Sequence, residues 1–257
     1  MTGHLKKISS ELLFLFSIFV SFNLNAQIIK VACIGDSVTY GYGIDSVEKY
    51  SYPSQLQEML GHGYEVKNFG YSGATMLKNG HKPYWKTEAF DSSLNYNPNI
   101  VIIHLGLNDQ GNNNWPRHKG EFINDYLDMI GLYKELPSHP KIYICLMSPT
   151  FSGHHWFEEG MRENFNEIQQ KIGEIAEMAK VSLINLHDPL YRFPELFPDN
   201  LHPVKEGATL LAKKIYGHIS GDFGGLQLPL LYGENMVFQR DVPLRISGIA
   251  NVPDTIE

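Results

Sequence analysis

The sequence predicts an α/β protein built on a parallel five-stranded sheet. Three observations predict it. Short apolar, β-branched runs recur along the chain, each is followed by a stretch with helical spacing, and the rhythm repeats five times before it stops at a glycine cluster. Buried parallel strands read as near-continuous apolar runs rather than alternating ones. Strands joined through helices connect by right-handed crossovers, which lay the helices over the sheet.

The elements follow in order. Residues 28–34 form the first strand, and residues 51–60 a helix whose early Pro53 suits a first turn. Residues 64–69 are a shorter strand, and residues 82–94 a mixed, mainly helical segment. Residues 100–105 are a continuous apolar run, the mark of a buried parallel strand, and residues 122–136 have helical spacing. Residues 141–147 are the fourth strand, residues 158–180 a long amphipathic helix, residues 181–186 the fifth strand, and residues 204–219 a closing helix. Composition then shifts at Ser220-Gly221-Asp222-Phe223-Gly224-Gly225. Residues 226–257 read as short β segments, a β-rich C-terminal piece that stops before it could close a core of its own.

The 257 residues suffice for one good-sized domain with some left over. The formal net charge of −7 and the absence of a dense Lys/Arg block argue against a nucleic-acid partner. Residues 1–26 read as a cleaved signal peptide: Lys6 and Lys7 give a positive start, an apolar run follows from Leu12 to Phe22, and Asn25-Ala26 close it. The run is about half the length that crosses a bilayer, so no stable membrane insertion is expected after cleavage. The expected location is exported, periplasmic or extracellular. Cys33 and Cys145 lie inside strand-like runs and are expected to be buried thiols, with neither a disulfide nor a metal role.

In sheets of this kind ligands bind at the carboxyl ends of the strands. Four features sit there or at the approach to the last helix: Gly35-Asp36-Ser37-Val38-Thr39, Asn68-Phe69-Gly70-Tyr71-Ser72-Gly73-Ala74-Thr75, Gly106-Leu107-Asn108-Asp109, and Asp199-Asn200-Leu201-His202-Pro203. Singly each is a turn or a helix cap. Together they supply nucleophilic catalysis. A serine hydroxyl is a poor nucleophile until a base takes its proton, and His202 is a suitable base for Ser37. Asp199 can fix the imidazole tautomer and stabilise its cation. The oxyanion of a tetrahedral intermediate needs donors, which the backbone N–H groups of Ser37 and Gly73 and the side-chain amide of Asn108 can provide.

These four blocks, in this order, resemble those of the SGNH (GDSL-like) hydrolases, over residues of about 28 to 219. The resemblance implies a flavodoxin-like three-layer α/β/α sandwich over residues 27–221. It implies Ser37 as nucleophile and oxyanion donor, Gly73 and Asn108 as the other donors, and Asp199 and His202 as triad partners. It implies that Asp36 organises the nucleophile loop. A second resemblance lies in the tail. Leu228-Pro229-Leu230-Leu231-Tyr232 and Met236-Val237-Phe238-Gln239-Arg240-Asp241, continued by Gly248-Ile249-Ala250, look like the opening of sialate O-acetylesterase domains, departing from that pattern at Phe238 and Ser247.

The function expected is a secreted serine esterase acting on O-acetylated carbohydrate through an acyl-enzyme, with no cofactor and no metal. Trp115, His154 and Trp156 are expected to line the substrate site, with aromatic faces for sugar rings. Asn112-Asn113-Asn114 reads as an exposed turn, and His104 as a satisfied core histidine. Gly41-Tyr42-Gly43 is no phosphate loop, since the Lys-Ser/Thr that such loops carry is missing. The rivals are a lipase, lysophospholipase or thioesterase of the same superfamily, and a non-catalytic carbohydrate-binding module. Oligomeric state is not legible.

Overall fold

The structure is a computed structural model that describes residues 27–225 and Gly248. The signal-peptide reading of residues 1–26 lies outside the described residues, as does the sialate O-acetylesterase-like reading of residues 226–257 apart from Gly248.

Five strands alternate with helices. β1 (Ile29–Gly35) leads to the short α1 (Ser37–Tyr40), then α2 (Val47–Tyr50) and α3 (Tyr52–Leu60). β2 (Tyr64–Gly70) is followed by α4 (Glu88–Asn95), and β3 (Ile100–His104) by α5 (Trp115–His118) and α6 (Phe122–Lys134). β4 (Lys141–Leu146) precedes α7 (Met161–Ala179), and β5 (Ser182–Asn185) precedes α8 (Asp188–Tyr191) and α9 (Lys205–Ser220). The sheet order is β2-β1-β3-β4-β5, and every pairing is parallel. This is the flavodoxin-like order, with its reversal between β1 and β3. α3 and α9 pack together on one face, and α4, α6 and α7 cover the other.

Burial explains the apolar runs. Val31, Ala32, Cys33 and Ile34 of β1 are fully buried, as are Val101, Ile102 and Ile103 of β3. α7 buries the stripe Phe165, Ile168, Ile172 and Ile175, and α9 buries Ala208, Leu211, Ala212 and Ile215. Each large apolar side chain so buried contributes roughly 1.5–3 kcal/mol. β2 is an edge strand, half-exposed, and Lys67 and Glu65 pair across 3.2 Å on it. Charge on an edge discourages a further strand from adding. Cys33 and Cys145 are free and buried, and burial pushes the Cys33 thiol up to about 12.

Element ends differ from the sequence reading for local reasons. α7 begins at Met161 rather than 158, after Gly160 in the left-handed region at φ 85°. Asn112 Nδ2 holds the preceding residues, donating to Glu158 Oε2 at 2.9 Å and to the Glu159 carbonyl at 3.1 Å. β5 stops at Asn185 because its Oδ1 accepts from the N–H groups of His187 and Asp188, each at 3.0 Å. His104 is only half-satisfied. Its Nε2 accepts from Ser148 N–H at 3.0 Å, while its Nδ1 has no partner among the described residues. Burial lowers its pKa to about 4, so the ring is neutral at pH 7.

The three strands at the reversal end level with one another. Gly35 lies opposite Gly70 on β2 and His104 on β3. The residues after all three therefore emerge side by side. α1 sits directly against the end of β2, so closely that a Cβ on Gly70 would stand 2.6 Å from Tyr40 Cα. Asp36 caps α1: its Oδ1 accepts from Val38 N–H at 3.0 Å, while its Oδ2 is buried and without a partner among the described residues. Burial raises this carboxyl to about 7, against the hydrogen bond from Val38, and the buried Asp109 nearby adds to the rise.

Two outcomes follow for stability. Gly70→Ala overpacks a backbone contact and should lower Tm by about 3–10 °C in thermal denaturation. The Asp36 carboxyl has a folded value above its ordinary one, so its contribution is complete at low pH and is lost as pH rises through about 7. Asp36→Asn keeps the capping oxygen and carries no charge. Calorimetry from pH 5 to pH 8 should show a shallower fall in Tm for this variant than for the wild type, with Asp109, also raised to about 7 by burial, accounting for part of the fall that remains.

Candidate active site

Ser37 opens α1, at the carboxyl end of β1. The other half of the site comes from the loop before α9. There the Asp199 carboxylate does two things at once. Its Oδ1 accepts from the N–H groups of Leu201 (3.0 Å) and His202 (2.7 Å), which closes a tight turn. Asn200 sits in that turn at φ 65°, a left-handed conformation that asparagine tolerates better than most residues. Asp199 Oδ2 accepts from His202 Nδ1–H at 2.6 Å. The carboxylate has no proton to give, so the imidazole hydrogen is placed on Nδ1 and Nε2 is left as an acceptor. Ser37 Oγ–H donates to that Nε2 at 2.9 Å. The three residues named from the sequence are thus joined in one continuous chain.

The electrostatics suit the arrangement. Burial pushes the Asp199 carboxyl upward, but the bonds from the His202 ring and from the His202 and Leu201 N–H groups outweigh it and hold the carboxyl below its usual range. It stays ionised, as a partner to an imidazolium must.

The other two expected oxyanion donors lie on the loops that follow β2 and β3, tied to one another through Ala74. Asn108 follows β3, and its Nδ2 donates one hydrogen to the Ala74 carbonyl at 3.0 Å, while the second has no acceptor among the described residues. Gly73 lies at φ 81° in a turn closed by Ala74 N–H to the Tyr71 carbonyl, 3.0 Å. Tyr71 N–H in turn donates to the Gly35 carbonyl at 2.9 Å, which ties the turn to the end of β1. Neither Ser37 N–H nor Gly73 N–H donates to an acceptor among the described residues.

Of the three residues expected to meet substrate, the structure separates one. Trp115 is 1% exposed, its Nε1–H donates to Glu167 Oε2 at 2.8 Å, and its ring packs edge-on against Phe122. It is core, with no face left for a sugar ring. Trp156 is half-buried and lines a hollow of about 300 Å³ with His81, Asn108, Asn112, Asn113 and Glu158. His154 is buried beside the triad, its ring centroid 6.2 Å from that of His202 and its Nε2 3.9 Å from Asp199 Oδ2. Burial, then the neighbouring His155, holds its pKa below the usual value.

Other residues were not legible. Tyr42 lies with its ring 4.6 Å from the His202 ring and is 54% exposed, forming one wall of the site. Its only sequence signal is its place between two glycines just after the nucleophile. Asn114 is buried rather than part of an exposed turn. Its Nδ2 donates to the Asn108 carbonyl at 2.8 Å, and its Oδ1 accepts from His81 N–H at 2.9 Å. It braces the backbone that carries the Asn108 amide.

One group among the described residues offers three metal-ligand atoms within 4.8 Å of one another: His154, Asp199 and His202. Two of the three are already joined in the triad bond. His154 Nδ1 accepts from Trp156 N–H at 3.4 Å, which leaves its proton on Nε2, the nitrogen facing Asp199. At 3.9 Å that nitrogen is beyond hydrogen-bond reach of Asp199 Oδ2, so only Asp199 and His202 of the group are joined.

Comparison with known proteins places the chain in a family. An acetylxylan esterase from Xylanibacter ruminicola is 36% identical over 206 residues, covering 73% of this chain. The chain spans only 42% of that protein's length. Among solved structures, a carbohydrate acetylesterase from Sinorhizobium meliloti superposes with a TM-score of 0.59 at 19% identity, over 75% of this chain and 99% of that one. The aryl esterase of M. Smegmatis gives 0.56 at 16% identity, over 75% and 99%. At these identities the structural likeness is one of fold. Residues 33–210, which carry the first three site blocks and the Asp199–His202 turn, match the GDSL-like lipase/acylhydrolase family, and the chain belongs to it.

Proposed function

We propose that the chain is a serine esterase that removes O-acetyl groups from carbohydrate, exported to the periplasm or beyond. The observation that carries the reading is the unbroken relay from Ser37 Oγ through His202 to Asp199, at 2.9 and 2.6 Å. The 36% identity to an acetylxylan esterase supports the substrate class. The hollow beside Asn108 is small, about 300 Å³, and mixes asparagines, His81 and Glu158 with Trp156 and Met161, which suits a short acyl group on a polar alcohol. Tyr42 and Trp156 offer aromatic faces on which a pyranose ring can stack. The export signal in residues 1–26, and a sialate O-acetylesterase-like continuation from residue 226, belong to the same proposal.

The chemistry runs in two halves. Ser37 Oγ attacks the acetyl carbonyl carbon as its proton passes to His202 Nε2, and Asp199 stabilises the imidazolium. The carbonyl oxygen becomes an oxyanion facing the N–H groups of Ser37 and Gly73 and the second hydrogen of Asn108 Nδ2. His202 returns the proton to the sugar oxygen as the C–O bond breaks, leaving an acetyl-serine. Water then attacks, giving its proton to His202, and collapse of the second intermediate frees acetate and restores Ser37. No step needs a metal or an organic cofactor.

The test is acetate release from acetylated xylan and from p-nitrophenyl esters of short and long chain. Ser37→Ala and His202→Ala should each abolish turnover while leaving Tm near that of the wild type. Asn108→Ala should lower kcat by roughly 10²–10³, as loss of one oxyanion donor does elsewhere. A preference for long-chain esters would replace the carbohydrate reading with a lipase. A folded wild type inert on every ester would leave only a binding module.

A further inference from the structure

The Ser72–Gly73 peptide has a feature that the reaction as written leaves unused. Its N–H belongs to Gly73 and is one of the proposed oxyanion donors. Its carbonyl, on Ser72, accepts from the ammonium of Lys82 at 2.8 Å. Lys82 therefore grips the far end of the amide whose N–H is proposed to meet the reacting oxygen.

The geometry of the turn gives that grip a purpose. Tyr71 to Ala74 is closed by Ala74 N–H to the Tyr71 carbonyl at 3.0 Å, with Gly73 third in the turn at φ 81°. A positive φ at the third residue marks a type II turn. Types I and II differ by a half-rotation of the central peptide, here Ser72–Gly73. In one orientation the Gly73 N–H faces the site. In the other it faces away and the Ser72 carbonyl takes its place, setting a partial negative charge where the oxyanion forms. Glycine permits both, since it carries no Cβ to penalise either sign of φ. Something must select between them.

Lys82 is held where it can select. Its carbonyl accepts from Thr75 N–H at 2.9 Å, and Tyr84 N–H donates to the Thr75 carbonyl at 2.9 Å, so two backbone bonds sew its segment to the end of the turn. Its ammonium also lies 4.7 Å from the centroid of the Tyr71 ring, which is 38% exposed. A Cβ placed on Gly73 would stand 3.4 Å from Lys82 Cδ and 3.7 Å from its Nζ. The cation thus spans the turn from the Tyr71 ring to the Ser72 carbonyl.

Resting on the serine-esterase reading, we infer that Lys82 is a positioning residue for the oxyanion hole. It locks the Ser72–Gly73 peptide with the Gly73 N–H toward Ser37. By donating to the carbonyl of the same amide it also polarises that N–H, since bonds in a chain strengthen one another. Its effect falls on the tetrahedral state, not on the bound ester.

The experiment compares wild type, Ser37→Ala, Lys82→Met, Lys82→Gln and Lys82→Arg on p-nitrophenyl acetate, with Tm measured for each. A small alkyl boronic acid, which forms a tetrahedral adduct on serine, serves as a second probe. Lys82→Met and Lys82→Gln should lower kcat by about five- to thirtyfold, short of the roughly 10²–10³ of a deleted donor, because the N–H is still present but less well held. KM and Tm should stay near wild type, boronate affinity should fall in step with kcat, and Lys82→Arg should recover most of the loss. A kcat within twofold of wild type in both neutral variants overturns the inference. So does a rise in KM at constant kcat, which would make Lys82 a substrate contact, or a loss of kcat matched by a loss of Tm. If wild type and Ser37→Ala hydrolyse the ester equally or not at all, the serine-esterase reading falls, and this one with it.

Discussion

Gly35, Gly70 and His104 lie side by side at the ends of β1, β2 and β3. That shared level is the constraint on which the site depends. A parallel sheet offers its carboxyl edge to loops alone, and only where the strand order reverses do neighbouring loops run toward opposite faces and leave a crevice. Here the reversal lies between β1 and β3. Ser37 emerges on one side, Asn108 on the other, and the Tyr71–Ala74 turn from β2 closes the third. Moving any one strand by a residue would turn its side chains to the other face and dismantle the constellation. The apolar packing of Val31 to Ile34 against Val101 to Ile103 prevents this.

The second half of the site is arranged differently. Asp199 and His202 belong to no strand. Their geometry is local, fixed by one carboxylate that accepts from two backbone N–H groups and from an imidazole. The turn is attached to the body of the protein by Phe151 N–H, which donates to the Asn200 carbonyl at 2.8 Å, and by the buried stripe of α9. The sheet thus holds Ser37, and a self-built turn holds His202.

Most of this was legible in the sequence, and the reasons are physical. Strand and helix periods report burial, so the five strands and the helices α3, α6, α7 and α9 appear close to where the apolar patterns place them. Ser37 stands out because it follows a glycine at a strand end, and Asp199 and His202 because they sit among turn formers just before the last helix-like stretch. What the pattern does not carry is the packing of loops on loops. Trp115 looked like a surface aromatic because it follows an asparagine run. Its burial depends on Glu167 and Phe122, the first 52 residues away. Asn114 looked exposed for the same reason, and its role rests on His81, 33 residues away. Tyr42 has only its two flanking glycines as a local signature and Lys82 has none, since their importance comes from the ring or carbonyl they touch.

The hydrogen bond between His202 and Ser37 joins residues 165 positions apart. On the proposed esterase reading, turnover therefore requires the first strand and α9 to be docked at once. Structure in the middle of the domain, however complete, gives none. Closing so long a loop comes late in a folding reaction, because its entropy must be met before any contact rewards it. Turnover, on that reading, is thus a reporter of the finished domain. During refolding it cannot return before both ends of the domain are docked, and any opening that parts Ser37 from His202 abolishes it.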